Sequence, residues 1–148
     1  EKVAREGLNE RFKFLGRHSE ADMPAFFACA DAMLVSLKDQ AIFALTVPSK
    51  VQAYLACGKP ILANLAGEGA AIIDHSRTGI VSPPGSPREL AKSFVALSNI
   101  AEIELQRMGT RALHLYETRF SLRSVVREII AQSKIVVDQN ELEGVESR

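Results

Sequence analysis

Residues 46–50, Thr46-Val47-Pro48-Ser49-Lys50, carry the most chemistry for their length. Pro at the start of a helical pattern marks a helix N-terminus, where free N–H groups and the positive dipole end face outward. Thr46 and Ser49 add hydroxyl donors and Lys50 adds a charge, so the segment has the make-up of a phosphate cradle. An ordinary helix start beside a solvated lysine has the same spacing. Gly67-Glu68-Gly69 is a second candidate. Two glycines let a backbone approach a ligand closely, and Glu68 can accept hydrogen bonds from sugar hydroxyls. A plain loop before a helix reads the same way. Gly16-Arg17-His18-Ser19 is a third, with Arg17 able to face a base or a phosphate, or simply solvent. Neither G-x-G-x-x-G nor a Walker A pattern occurs. No Ser/His/Asp or Cys/His grouping suggests a protein nucleophile.

These segments need a scaffold, and the chain can build one. Of its 148 residues 47% are hydrophobic, enough for a core and too many for a disordered chain. Lys plus Arg and Asp plus Glu both total 18, so the usual electrostatic footprint of a nucleic-acid binder is missing. No apolar run approaches the roughly 18 residues of a spanning helix. His18, His75 and His114 have no H-x-x-x-H spacing, and no metal ligand set is expected. Cys29 and Cys57 lie in apolar stretches and read as two buried free thiols in a reducing compartment.

Strands and helices alternate. Glu1 to Gly7 reads as the last turns of a helix, which suggests a chain whose upstream part lies elsewhere. Arg11-Phe-Lys-Phe-Leu15 alternates as a half-buried strand does. Ser19 and Asp22 can cap a helix from Met23 to about Ala30. Ala32 to Leu37 reads as a strand covered on both faces. A loop from Lys38 to Val47 leads to a helix from Pro48 to Cys57, stopped by Gly58. Pro60 to Ala63 and Thr78 to Val81 read as strands, with a short helix through Ala71 to Asp74 between them. Ser86-Pro-Arg-Glu89 is a capping box that starts a helix to about Ser98. A helix from about Glu102 to Thr118 follows. Phe120-Ser121 reads as staple and N-cap of a last helix to about Val137. Its Arg119, Arg123, Arg127 and Lys134 flank Phe120, Leu122, Val125, Val126, Ile129 and Ile130. Such a stripe can rest on an anionic membrane, but packing on the domain core is the expectation. Residues 1–137 thus form one α/β domain, and 138–148 a polar tail expected to be disordered. The parallel sheet has ligand loops beyond its carboxyl ends, where Gly16 to Asp22, Ser36 to Ser49 and Asn64 to Gly69 should converge.

Pro48-Ser-Lys-Val-Gln-Ala-Tyr-Leu-Ala-Cys-Gly-Lys-Pro-Ile-Leu62 resembles the P-S-K-x-x-E-Y-x-A-x-G-K-P signature of group 1 (family 4) glycosyltransferases. Phe14-Leu-Gly16 and Ala30-Asp-Ala-Met-Leu-Val-Ser36 are similar to that family's F-L-G and A-D-x-x-V-x-P-S elements. Gly79 to Pro87 resembles T-G-x-x-V-P-P-G-D. Arg107-Met-Gly109, Arg111, Tyr116 and Phe120-Ser121 resemble the closing R-M-G-x-x-A-R-x-x-Y-x-x-x-F-S. Leu37-Lys-Asp through Lys50 is similar to the bacterial polysaccharide branch, which makes O-antigen, capsule or colanic acid. The resemblance covers nearly all of residues 8–130.

The resemblance implies the C-terminal half of a GT-B fold: a Rossmann-like parallel sheet with flanking helices that binds a nucleotide-diphosphate sugar. It implies a retaining transferase acting on a saccharide or lipid-linked acceptor held by an N-terminal domain, without cofactor, in the cytoplasm or at the inner membrane face. The domain's first strand and helix, with a basic pair, would precede this sequence, and the 148 residues alone would be inactive. The implied donor-binding residues are Gly16, Arg17, Thr46, Val47, Pro48, Ser49, Lys50, Gln52 and Glu68. The family's E-x7-E pair falls on Leu45 and Ala53, and the Glu of its G-G-x-x-E loop falls on Ala71. Gln52 would then stand in for the second Glu. That departure raises two rivals: a nucleotide-sugar binding module without transfer activity, and an epimerase-like relative.

Overall fold

The computed structural model describes residues 1–133. Three parallel strands form the sheet in the order β1 (Met33–Ser36), β2 (Ile61–Asn64), β3 (Gly79–Ser82). Met33 pairs with Ile61 and Ile61 with Gly79, so the last residues Ser36, Asn64 and Ser82 stand side by side. The helices are α1 (Lys2–Arg5), α2 (Met23–Ala28), α3 (Ala41–Ala44), α4 (Ser49–Ala56), α5 (Glu68–His75), α6 (Pro87–Ser98) and α7 (Glu102–Leu115). A 3-10 turn, Glu20–Asp22, precedes α2, and residues 122–133 form a final helix, α8.

The core follows from the strand period of two. Val35, Ile61 and Ala63 share one face and pack with Val51 and Leu55 of α4, Ile73 of α5 and Ala112 of α7. α6 packs along β3 and β2. All four residues of β2 are buried, as a central parallel strand requires. β1 differs from expectation. Met33 and Val35 are buried, but Leu34 is 44% exposed, because no helix among the described residues covers that side of the edge strand.

α7 comes close to the end of α4 because Gly109 has no side chain. A Cβ there would overlap the Gly58 carbonyl. Arg111 anchors the same helix, donating from Nε to the Arg77 carbonyl at 2.8 Å and from Nη2 to Glu104 at 2.8 Å. Arg77 has a positive φ of 54°.

Several expectations need correction. Residues 11–15 form no strand; Phe14 is 83% exposed. Alternation makes a strand only where a neighbouring strand accepts its backbone bonds, and none lies beside this segment. The helix from Glu102 does not run regularly to Thr118. It becomes a π turn over Tyr116–Phe120, closed by Ser121 N–H bonding the Tyr116 carbonyl at 2.8 Å. That turn keeps Tyr116 and Phe120 against the core. Ser121 then caps α8 through a 3.1 Å bond from Ser124 N–H, as expected. α8 does not pack on the core. Leu122 is 79% exposed, and Val125, Val126, Ile129 and Ile130 are exposed as well, since the chain leaves the core at Phe120. Cys29 is exposed and Cys57 only half-buried, because the α2 and α4 ends that carry them lie at the surface. Lys134, the last turn to Val137 and the tail 138–148 lie outside the described residues.

Candidate functional site

The loops after β1 and β2 meet at the carboxyl ends of the strands. The loop after β2 turns at Gly67 with φ 77° and ψ −150°. A Cβ at Gly67 would overlap the Ala44 backbone, so the end of α3 rests directly on this turn. Gly69 is buried against Pro48 and Thr46, where a Cβ would stand 3.1 Å from Pro48 Cδ and 3.7 Å from the Thr46 carbonyl. The glycine pair thus seats the Gly67–Gly69 turn on the Thr46–Pro48 segment.

The contact brings two helix N-termini to one face of the protein. α4 begins at Ser49 after the extended Pro48, and no side chain caps it. α5 begins at Glu68 after Gly67, again without a side-chain cap. Uncapped first turns present N–H groups to an outside acceptor. Thr46, Ser49 and Lys50 are exposed around the first, Val47 and Pro48 are half-buried, and Gln52 is half-buried one turn in. Val47 is the hydrophobic anchor, packed against the core.

Glu68 is half-exposed at the start of α5, and Arg119 Nη2 of the π turn approaches its Oε1 to 3.6 Å. Arg119 also lies over the Phe120 ring at 5.6 Å from its centroid. Sequence reasoning did not place Arg119 here, because the π turn that aims it is a tertiary feature. Leu45 and Ala53, at the positions of the expected acidic pair, are exposed.

Gly16 and Arg17 do not join this assembly. Both are exposed, and no hydrogen bond or ion pair among the described residues ties them to the loops after β1 or β2. His18 turns back on its own segment, with Nε2 2.8 Å from the Leu15 carbonyl and its ring 4.4 Å from that of Phe26.

A cavity of about 350 Å³ opens beside the same strand ends. One wall is Ser36–Lys38 and the other is Gly85–Pro87 with Leu90; Asn64 forms the floor. Asn64 enters the sequence reading only as the first residue of the Asn64–Gly69 loop, although a polar residue closing the buried run Pro60-Ile-Leu-Ala63 was a usable signal for a role of its own. Another concavity, between Gly58–Pro60 and Glu102–Gln106, lies at the amino ends of the strands, away from these loops. Among the described residues, no three His, Cys, Asp or Glu side chains come together in a way that could hold a metal ion. No described helix is long and apolar enough to cross a membrane.

Comparison with known proteins bears on the family and the fold. A family model described as glycosyl transferases group 1 matches residues 1–99. A probable glycosyltransferase of Pseudomonas aeruginosa, WbjE, is 31% identical over 143 residues, which is 90% of this chain and 35% of that protein. Among solved structures, Anabaena Alr3699/HepE in complex with UDP and glucose matches with a TM-score of 0.71 at 24% identity, over 90% of this chain and 34% of that one. Sucrose-phosphate synthase from Thermosynechococcus elongatus matches with a TM-score of 0.68 at 15% identity, over 93% of this chain and 33% of that one. The chain therefore spans about a third of the length of the relatives it matches. At these identities the two structures establish a shared fold.

Proposed function

The chain belongs to the group 1 glycosyl transferases, and on that footing we propose that it is the donor-binding domain of an enzyme that moves a sugar from a nucleotide diphosphate to a saccharide or lipid-linked saccharide. The observation that carries this reading is the meeting of two uncapped helix N-termini, with Lys50 at one and the Glu68–Arg119 pair at the other. A departing diphosphate gains negative charge in the transition state. N–H groups already aimed at that position, with the Ser49 hydroxyl and the Lys50 ammonium, stabilise it without reorganising. Retention at the anomeric carbon, a place in bacterial polysaccharide synthesis and independence of any cofactor belong to the same proposal.

Solved Anabaena HepE complexes contain UDP, which makes UDP the first probe. Backbone amide shifts of the isotope-labelled chain should move at Ser49, Lys50 and Glu68 on adding UDP and stay fixed at the amino ends of the strands. Shifts confined to other surfaces, or none with any nucleoside diphosphate, overturn the proposal. A second reading, nucleotide-sugar binding without transfer, is favoured by one observation. Leu45 and Ala53 supply no carboxylate at the two positions where the resemblance implies an acidic pair.

A further inference from the structure

Asn64 ends β2 and is 4% exposed. A buried amide is costly unless each of its groups is bonded, and here each is. Nδ2 donates to Ser82 Oγ at 3.1 Å and to the Pro83 carbonyl. Oδ1 accepts from Ser36 Oγ at 3.2 Å. The Asn64 carbonyl accepts from Leu37 N–H at 3.0 Å. One residue therefore touches the ends of all three strands and the first carbonyl of the loop after β3.

The bonding fixes polarity as well as position. The Pro83 carbonyl can only accept, so the amide nitrogen must face it and Oδ1 must face Ser36. Ser36 spends its one proton on Oδ1. Its remaining capacity, on the exposed side that lines the cavity, is to accept. A leucine has the same branching but would leave the Ser36 hydroxyl and the Pro83 carbonyl without their partner, so bonding as well as packing calls for an amide at Asn64. What the amide adds is a fixed spacing between the Ser36–Lys38 wall and the loop that leads from Pro83 into the Gly85–Pro87 wall, and a fixed direction for the Ser36 hydroxyl.

We infer that Asn64 is a positioning residue that holds the two walls of this cavity in register and presents Ser36 as a hydrogen-bond acceptor to a hydroxyl-bearing group, a sugar or ribose rather than a phosphate. The identity of that group rests on the function proposed above; the mechanical role of Asn64 does not.

Two measurements separate them. The first uses no ligand. In the wild-type chain the Asn64 side-chain amide protons should be protected from solvent exchange. In Asn64→Asp the introduced carboxyl should titrate well above the ordinary carboxylate range because it is buried. The backbone amides of Leu37 and Lys38 on one wall, and of Gly85 and Ser86 on the other, should follow it with a single midpoint that the wild type lacks. A freely exchanging Asn64 amide, or movement of one wall without the other, overturns the mechanical role, and the wild-type measurement decides even if the variant does not fold. The second titrates UDP-glucose and UDP into wild type and Ser36→Ala. The variant should lose about fivefold in affinity for UDP-glucose, equivalent to one hydrogen bond of about 1 kcal/mol. Unchanged affinity overturns the hydroxyl assignment. Binding of neither compound by the wild type overturns that assignment together with the functional reading, and the amide titration still decides the role of Asn64.

Discussion

Gly67→Ala is the sharpest perturbation the structure offers. Gly67 has φ 77° and ψ −150°, a conformation essentially confined to glycine, and forcing alanine into such a region costs about 1–3 kcal/mol. The added Cβ also overlaps Ala44 backbone atoms, and these cannot swing away as a flexible side-chain tip can. Overpacking of this kind costs a further ~1–3 kcal/mol. The expected loss is therefore about 2–6 kcal/mol, a large part of the 5–15 kcal/mol typical of a domain. Urea titration followed by circular dichroism measures it as a lower midpoint with an unchanged slope. Gly7→Ala is the control. Gly7 also has a positive φ, 68°, but no atom lies within 4 Å of the added Cβ, so only a backbone cost of about 1–2 kcal/mol is expected. Equal midpoints for Gly67→Ala and wild type would refute the claim that the two loops are pressed together through this residue.

Three further outcomes follow from the same structure. Leu55→Ala empties a fully buried position between α4 and the sheet and should cost about 2–5 kcal/mol by denaturant titration. Cys29 should react with a thiol reagent well before Cys57, because Cys29 is exposed while burial pushes the Cys57 thiol up, partly offset by Lys59; mass-mapped alkylation reads the order. The hydrogen bond from Arg111 holds the Glu104 carboxyl below its usual range. A carboxylate lowered on folding adds stability that is full above its unfolded value and is lost as pH falls through the folded value. Arg111→Met should therefore flatten that part of the acid limb, and an unchanged limb would remove Glu104 from the account.

Much of the scaffold was legible because its signals are local. Ser86 does accept from Glu89 N–H, at 3.4 Å, at the start of α6, though the reciprocal half of the expected capping box gives way to a bond from Lys92 to Glu89 Oε1. Pro48 and Gly58 do bracket α4. The apolar runs around Val35 and Ile61 do form adjacent parallel strands. Non-local features escaped. Residues 11–15 alternate properly but have no strand to pair with, and pairing cannot be read from one segment. The helical pattern through Tyr116 gave no sign of the π turn, since residues 116–120 contain neither Gly nor Pro to mark a break. The apolar face of α8 looked like a core face because amphipathicity records which side seeks cover, not what provides it. At the site, Lys50 was legible as a helix-start residue and Glu68 as part of a glycine-flanked loop, although α5 begins at Glu68 itself. Asn64 and Arg119 matter through partners 18 to 51 positions away.

The central claim is that the first turn of α4 binds a nucleotide diphosphate. Calorimetric titration of the chain with UDP, GDP and inorganic phosphate, repeated with Lys50→Ala, tests it most directly. The account predicts saturable binding of one nucleoside diphosphate, tighter than phosphate and weakened about tenfold in the variant by loss of a charged hydrogen bond worth about 1.5 kcal/mol. Binding that Lys50→Ala leaves untouched, or a folded chain that binds none of the three, would contradict it.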